Sequence, residues 1–595
     1  MYQEFTLRRR PPIHDPKEFQ IFCRSAGAPT IFDTILNAMT DLRHSQLRLG
    51  TNEKRTVAII YKLCYGLSQV CNWLQTDHAL FLKDSNLNQR GLEAQREMGN
   101  SCCRRRVNIL HAELAESNTN MIGELISEAI KEQWQLVLII DDYTSIHSKR
   151  RPKTDQLCHP KSMCTIVVKV FKNVKAIPRC SATTYHNVDG IDITSCVKTL
   201  SSSSSMYKLA FTYSSAMPAW IRNTFFNPEL ERHRLAVHEY NENDSVRTMR
   251  QMTDVHLLQF IELTLKSKKD FSAAYDIVLS TRMSDYLKKF LVIQPGDWPA
   301  QFYSRQIIYE TLQNYYRFSS DTLHGTPIPM DHEYTTPFNS GYRQWATAEE
   351  SPAHINSQPA ILSLIPCIGP LHISLNGRET VFKDFVGFFE NIYNNLFPRS
   401  KLPKTPRPWR ISLILEVVYG GWLFIREAVK EKFKVCKDIE YMTLLNLLDN
   451  YIPLVLTIYS TSFKLNNFFE YFIRIWTMFM CLERHHYDKA PLVWIAMCTY
   501  RRINNPDLYL MLRLFLVIFD EYPVENAHSI IRSKTSDSDT IEQMQQKAKG
   551  SFQSKAAQHS FKSYFSPPSS FTFSANQLKY LKMKCAALIS SIFIR

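Results

Sequence analysis

Three acids occupy positions that a metal-dependent phosphoryl-transfer site would use. The apolar run Gln135-Leu136-Val137-Leu138-Ile139-Ile140 ends in Asp141-Asp142, Leu291-Val292-Ile293 leads to Gly296-Asp297, and Glu525 stands in a helical pattern after a long helical stretch. Carboxylates gathered in one pocket can hold two divalent ions about 4 Å apart, which activate a water or hydroxyl and stabilise the leaving oxygen of a phosphodiester. Asp141, Asp297 and Glu525 are therefore the candidate catalytic metal ligands, and Mg2+ or Mn2+ the candidate ions. Their separations, 297 − 141 = 156 and 525 − 297 = 228 residues, mean that only a folded core can unite them. Each acid also has a plainer reading. Acids at strand ends satisfy turn amides, Gly296-Asp297-Trp298-Pro299 suits a tight turn, and Glu525 near a helix start gains from the helix dipole.

Other residues could support this chemistry. Asp142 neighbours Asp141. His372 could position a strand near Asp297 or simply be a buried histidine bonded to backbone. On a helix, His528 and Arg532 share a face with Glu525, to orient its carboxylate or approach phosphate. In Lys404-Thr405-Pro406-Arg407-Pro408-Trp409-Arg410, cations alternate with an aromatic ring, so Lys404, Arg407 and Arg410, with Arg532, are the candidate nucleic-acid contacts. Trp476, in apolar helical surroundings, reads as core.

The elements that must position these residues are legible as changes in periodicity. Residues 1–130 carry apolar positions at helical steps in Ile31 to Leu42, Val57 to Leu74 and Ile109 to Gln133, with polar breaks such as Asn118-Thr119-Asn120. Cys102-Cys103-Arg104-Arg105-Arg106 reads as a solvated basic loop. The Leu136–Ile140 run predicts a strand covered on both faces and ending at the acids, paired antiparallel with Cys164 to Phe171. Lys208 to Tyr213 is a third strand candidate, Phe271 to Phe290 has helical spacing, and Leu291 onward is a further strand. The expected divisions are 131–310 for the first part of an α/β core, 311–360 for an irregular excursion and 361–380 for a return to the core. A helical insertion at 381–519, a helix bearing Glu525 at 520–550 and a tail at 551–595 complete the chain.

Composition bounds the rest. A chain of 595 residues with 45% hydrophobic content and 16 glycines is long enough for several ordered, largely helical units. The 71 basic against 56 acidic residues, net +15, favour a polyanionic partner. The 14 cysteines follow no zinc-ribbon spacing, and Met1 leads into Arg8-Arg9-Arg10 rather than an apolar leader, so reduced thiols in an intracellular protein are expected. No run approaches the roughly 18 apolar residues of a membrane span.

The order of strand acid, distant strand acid, helical insertion and helix glutamate resembles the ribonuclease-H-like transposases with an inserted helical domain, the hAT and P-element enzymes. The chain also resembles a group of eukaryotic transposon-derived proteins with four motifs: Asp-Asn after an apolar strand, Gly-Asp-Gln-Leu-Thr, Phe-His-Leu-Gln-Met-Asn, and a final Glu-Asn. Here these correspond to Asp141-Asp142, Gly296-Asp297 followed by Trp298-Pro299-Ala300, Gly369-Pro370-Leu371-His372-Ile373-Ser374-Leu375-Asn376, and Glu525-Asn526. The resemblance implies an α/β ribonuclease-H-like core interrupted by a large all-helical insertion, with a helical N-terminal region. It further implies metal-dependent cleavage and transfer of DNA strands, self-association on transposon ends, no small-molecule substrate and a nuclear location. The alternative is an inactive descendant, nuclear or cytoplasmic, that keeps DNA binding or a helical scaffold role.

Overall fold

Five consecutive apolar side chains on an extended strand point alternately to its two faces, so Leu136 to Ile140 demand cover on both. In the computed structural model each is no more than 1% exposed. The strands β1 (Trp134–Ser145), β2 (Lys161–Lys175), β3 (Val255–Glu262), β4 (Val292–Gly296) and β5 (Leu364–Ile368) form one mixed sheet in the order β3-β2-β1-β4-β5. The described residues are 1–8, 10–40, 45–145, 161–186, 254–324, 358–459, 520–536, 539–565 and 575–594, with Thr194 and Phe463.

β1 pairs antiparallel with β2, as the two apolar runs predict, and the ladder continues to Ser145 opposite Lys161. Asp141 therefore does not end its strand. It lies inside β1, opposite Thr165, because β2 is long enough to keep pairing beyond the acids. β2 pairs antiparallel with β3, while β1 with β4 and β4 with β5 are parallel. The proposed strand at 208–213 lies outside the described residues. β3 escapes a reading by alternation because His256 and Gln259 interrupt its apolar positions.

Among the described residues the chain is mainly helical around this sheet. Ahead of it come α1 (Pro16–Ser25), α2 (Ile31–Met39), α3 (Ser45–Leu67), α4 (Trp73–Asp84), α5 (Gln89–Glu97) and α6 (Arg104–Glu132). Arg104 to Arg106 are not a loop but the exposed first turn of α6, held there by burial of Cys102 and Val107 in one small cluster. Nor does Asn118 break that helix. Its side chain is fully buried, donates to the Leu257 carbonyl at 3.2 Å and accepts from Gln553 Nε2 at 2.7 Å. Asn118→Ala should therefore orphan a buried amide and a buried carbonyl and cost about 2 kcal/mol, read as a lower denaturant midpoint.

α7 (Ala182–His186) follows β2, and α8 (Lys268–Leu279) and α9 (Met283–Leu287) cover the crossover from β3 to β4. α10 (Trp298–His324) leaves β4 and stays helical well into the stretch expected to be irregular from 311. After β5 come α11 (Pro370–Asp384), α12 (Val386–Leu396), α13 (Pro408–Phe433) and α14 (Ile439–Asn446), then π-helical turns at Leu447–Tyr451 and Leu454–Ile458. The described part of 381–519 is thus mainly helical, while residues 460–462 and 464–519, with Trp476, lie outside it. A buried charge cluster ties α13 to the first π turn: Trp422 Nε1 and Arg426 Nε donate to Asp449 Oδ1 at 2.7 and 2.8 Å, and Lys430 Nζ lies 2.6 Å from Oδ2.

The C-terminal part comprises α15 (Tyr522–Lys534), α16 (Ile541–Ala557), α17 (His559–Phe565) and α18 (Ala575–Ile594). It is no tail. α16 packs on α6 and β3 through Met544, Ala548 and Phe552, and α18 packs on α13 through Cys585 and Ile589. Gly421 permits that approach, since a Cβ there would stand 2.8 Å from the Ala586 nitrogen. No helix among the described residues is long and apolar enough to cross a membrane.

Candidate functional site

Parallel pairing sets the first two acids side by side. Val137 of β1 lies opposite Ile293 of β4, so four residues further on Asp141 lies level with Asp297. Asp297 follows the last residue of β4, Gly296, and Oδ1 accepts the Ala300 N–H at 2.8 Å, which starts α10. The turn role expected of an acid at this position is therefore real, but it engages only one carboxylate oxygen. Burial, followed by the charges of Asp297, Glu525 and Asp142, raises the Asp141 carboxyl well above its ordinary range. Asp297 is raised too, chiefly by burial, with the Ala300 bond and the charge of His372 opposing.

The third acid comes from α15, which lies across β1 and β2. Pro523 suits the first turn of this helix, since the missing N–H would have had no intrahelical partner there. Glu525 sits in that first turn, and His528 follows on the same face. Each of Asp141, Glu525 and His528 offers a ligand atom, and these atoms lie within 4.8 Å of one another. His528 Nδ1 is 3.9 Å from Asp141 Oδ2, and its Nε2 is 3.0 Å from the hydroxyl of Thr165, the cross-strand partner of Asp141. Burial, with the charges of Arg532 and His372, pushes the imidazole down to about 4, so it is neutral near pH 7. The ring thus faces Thr165 through Nε2 and the acids through Nδ1.

A fourth carboxylate joins them that the sequence reading passed over. Glu521, one helical turn before Glu525, is 1% exposed. Its Oε1 accepts the His372 N–H at 2.7 Å in the first turn of α11, while its buried Oε2 has no hydrogen-bond partner among the described residues. A helix N-terminus is electropositive, which suits a carboxylate there. Burial nevertheless dominates and raises this carboxyl well above its usual range; the His372 bond opposes, and Asp141, Asp520 and Asp297 add to the rise. Gly369 makes the room: a Cβ there would lie 0.9 Å from Glu521 Oε2. The available signal was a pair of acids opening a helix four residues before a candidate ligand, directly after a long apolar stretch.

Asp142 is exposed, and on a strand it faces away from its neighbour Asp141, though its charge reaches both Asp141 and Asp297. His372 contributes through its backbone N–H as well as its ring. Arg532 is exposed, with its guanidinium 5.7 Å from the centre of the Tyr143 ring. Lys404, Arg407 and Arg410 belong to a different place, the segment leading into α13. Arg407 takes the N-cap position, and Arg410 lies 5.1 Å from the centre of the exposed Trp409 ring. No hydrogen bond or ion pair among the described residues links these three to the acids.

The arrangement is an oxygen-rich pocket with one neutral nitrogen, at the end of the sheet where the parallel strands stop. It has more negative charge than its own cations balance, which suits a hard divalent ion. Comparisons with protein-family models, curated proteins and solved structures return no match for the chain.

Proposed function

We propose that this chain is a transposase-like, metal-dependent DNA strand-cleaving and strand-transferring protein with a ribonuclease-H-like core. The observation that carries the reading is the group of ligand atoms that Asp141, Glu525 and His528 bring within 4.8 Å of one another, with Asp297 outside that group but level with Asp141 on the adjacent parallel strand. The mixed five-stranded sheet set among helices is compatible with such a core. Sites in sheets of this kind form beyond the carboxyl ends of the parallel strands, where the chain changes direction.

The donor set fits Mg2+ or Mn2+, and the unpartnered Glu521 Oε2 and the raised Asp141 carboxyl are the marks of a pocket lacking countercharge. A bound divalent ion supplies Lewis acidity and lowers the pKa of its water. Asp141, Asp297 and Glu525 would hold the ion, and Nδ1 of His528 would complete or orient the set. Thr165 fixes the ring of His528, and Glu521 fixes the start of the helix that carries Glu525. Exposed Arg532 offers positive charge for a neighbouring phosphate. Lys404, Arg407 and Arg410 form a second, remote basic segment suited to the DNA backbone. A nuclear location and assembly of several copies on transposon ends belong to the same reading.

The test is incubation of the purified full chain with supercoiled plasmid in Mg2+, Mn2+ or chelator. Divalent-dependent nicking is expected; salt-sensitive DNA binding with no nicking would select the inactive-descendant reading. Proton linkage gives a further expectation. Raised carboxyls hold protons in the folded protein that the unfolded chain has released, so stability of the metal-free protein should fall as pH rises above the ordinary carboxylate range. Metal must displace those protons, so its affinity should rise over the same span, measurable as the Mg2+-induced shift in thermal midpoint at successive pH values.

A further inference from the structure

Four lysines crowd around a single carboxylate on the side of α15 away from the acids. Lys534 comes nine residues after Glu525, about two and a half turns, which places it on the opposite face of that helix. Its ammonium donates to the carbonyls of Lys83 and Asp84 at 3.0 and 2.6 Å and to Asn86 Oδ1 at 2.8 Å, closing the C-terminal end of α4. Asp84 Oδ2 accepts from Ser554 Oγ at 3.0 Å and Gln558 Nε2 at 2.7 Å. These bonds bring Lys555, adjacent to Ser554, and Lys562, one turn beyond Gln558, to the same place. All four lysines are half-buried.

Their charges are not balanced locally. Lys83 donates to Asn108, a neutral amide, and among the described residues no lysine forms an ion pair with Asp84 and the Asp84 Oδ1 has no hydrogen-bond partner. Neither the Lys555 nor the Lys562 side chain makes a hydrogen bond or ion pair among the described residues. Burial, then neighbouring lysines and Arg104, opposed by Asp84, pushes Lys83 down to about 8. Lys555 is pushed down to about 8 as well, by burial and then Lys562 and Lys534, against Asp84. Gathering ammonium groups in a half-buried pocket is unfavourable unless an anion joins them.

We infer that Lys83, Lys555 and Lys562, beside a wall that Lys534 holds in place, form a phosphate-binding pocket, separate from the carboxylate site, for a ligand carrying several phosphates. A polyphosphate chain or a nucleic-acid backbone presents this chemistry, with acceptor oxygens spaced closely enough to meet several ammonium groups at once. The pocket does not depend on the strand-cleavage reading, because none of its residues belongs to the carboxylate site.

The experiment uses the full chain and a Lys555→Gln/Lys562→Gln variant, titrated with inorganic tripolyphosphate and, separately, with a labelled short duplex DNA at several salt concentrations. Tripolyphosphate should raise the thermal midpoint of the unaltered protein, and the variant should bind it at least about tenfold more weakly. Without ligand, the variant's midpoint should be unchanged or higher, because two like charges have left a crowded pocket; a purely structural role for these lysines would lower it. If nucleic acid is the natural source, duplex will compete with tripolyphosphate. The variant's slope of log affinity against log salt will then fall by about two, one for each lost phosphate contact. If a free polyphosphate is the source, duplex will not compete and its binding will be the same in both proteins. Should neither ligand distinguish the variant from the unaltered chain, or should Lys562→Gln alone unfold it, the inference is overturned. Divalent-dependent nicking, measured in parallel, reports on the carboxylates independently of either result.

Discussion

Asp297→Asn should leave the protein folded and DNA-binding while lowering divalent-dependent nicking by roughly 10³-fold or more. The amide is nearly the same size as the acid and still offers an oxygen to the Ala300 N–H, the bond that starts α10. What it loses is charge. Burial and the neighbouring acids already raise the Asp141 carboxyl, with the charge of Asp297 first among those neighbours. Removing it should relax Asp141 toward its ordinary range and leave the metal-free protein as stable as before, or slightly more so. The same loss leaves a divalent ion with one anionic ligand fewer, so affinity and turnover fall together. Near-normal nicking by the Asp297→Asn protein, or an equal loss in an Asp142→Asn control, would remove Asp297 from the catalytic set.

How much of this site the sequence discloses depends on the kind of signal each residue leaves. Asp141 and Asp297 are legible because a strand buried on both faces writes a run of apolar residues, and an acid at its end breaks the run. The same signal misplaces the end of β1, since pairing with β2 continues through Asp142 and Tyr143 to Ser145. Cross-strand partners are set by register and leave no trace in a single sequence, which is why Thr165 could not be linked with His528 beforehand. Glu521 was hidden by its surroundings. An acid at a helix start ordinarily faces water and caps its own helix, whereas this one accepts from the first turn of α11, 149 residues earlier in the chain. Asn118 misled in the opposite direction: polar residues in mid-helix read as a break, but a long-range pair of hydrogen bonds satisfies its buried amide. The stretch from 551 taken as a tail kept apolar spacing near its end, and that spacing is what packs α18 on α13.

Replacing Gly369 by Ala should destabilise the protein by about 2–4 kcal/mol and cut nicking further than the stability loss alone explains. The backbone at Gly369 is extended, with φ −75° and ψ 143°, so any residue could adopt it; the demand is for space. A Cβ would sit 0.9 Å from Glu521 Oε2 and 1.8 Å from its Cδ, which no rotation of the methyl relieves. The carboxylate must leave, and its departure strands the half-buried His372 N–H that it now accepts at 2.7 Å. Because Glu521 is the N-cap residue of α15, that displacement is passed to the first turn of the helix, where Glu525 stands against Asp141. A double-mutant cycle separates this chain of effects from simple overpacking. Glu521→Ala alone should lower the unfolding free energy by about 1–3 kcal/mol through the lost bond, partly offset by removing a buried acid. In the Gly369→Ala/Glu521→Ala protein the new methyl fills space that the carboxylate vacated. The combined loss should therefore be smaller than the sum of the two by about 1–3 kcal/mol, a coupling well above the scatter between independent sites. Strict additivity would mean that Glu521 does not occupy the space that Gly369 leaves, and with it would fall the latch that holds α15 over the two strand acids.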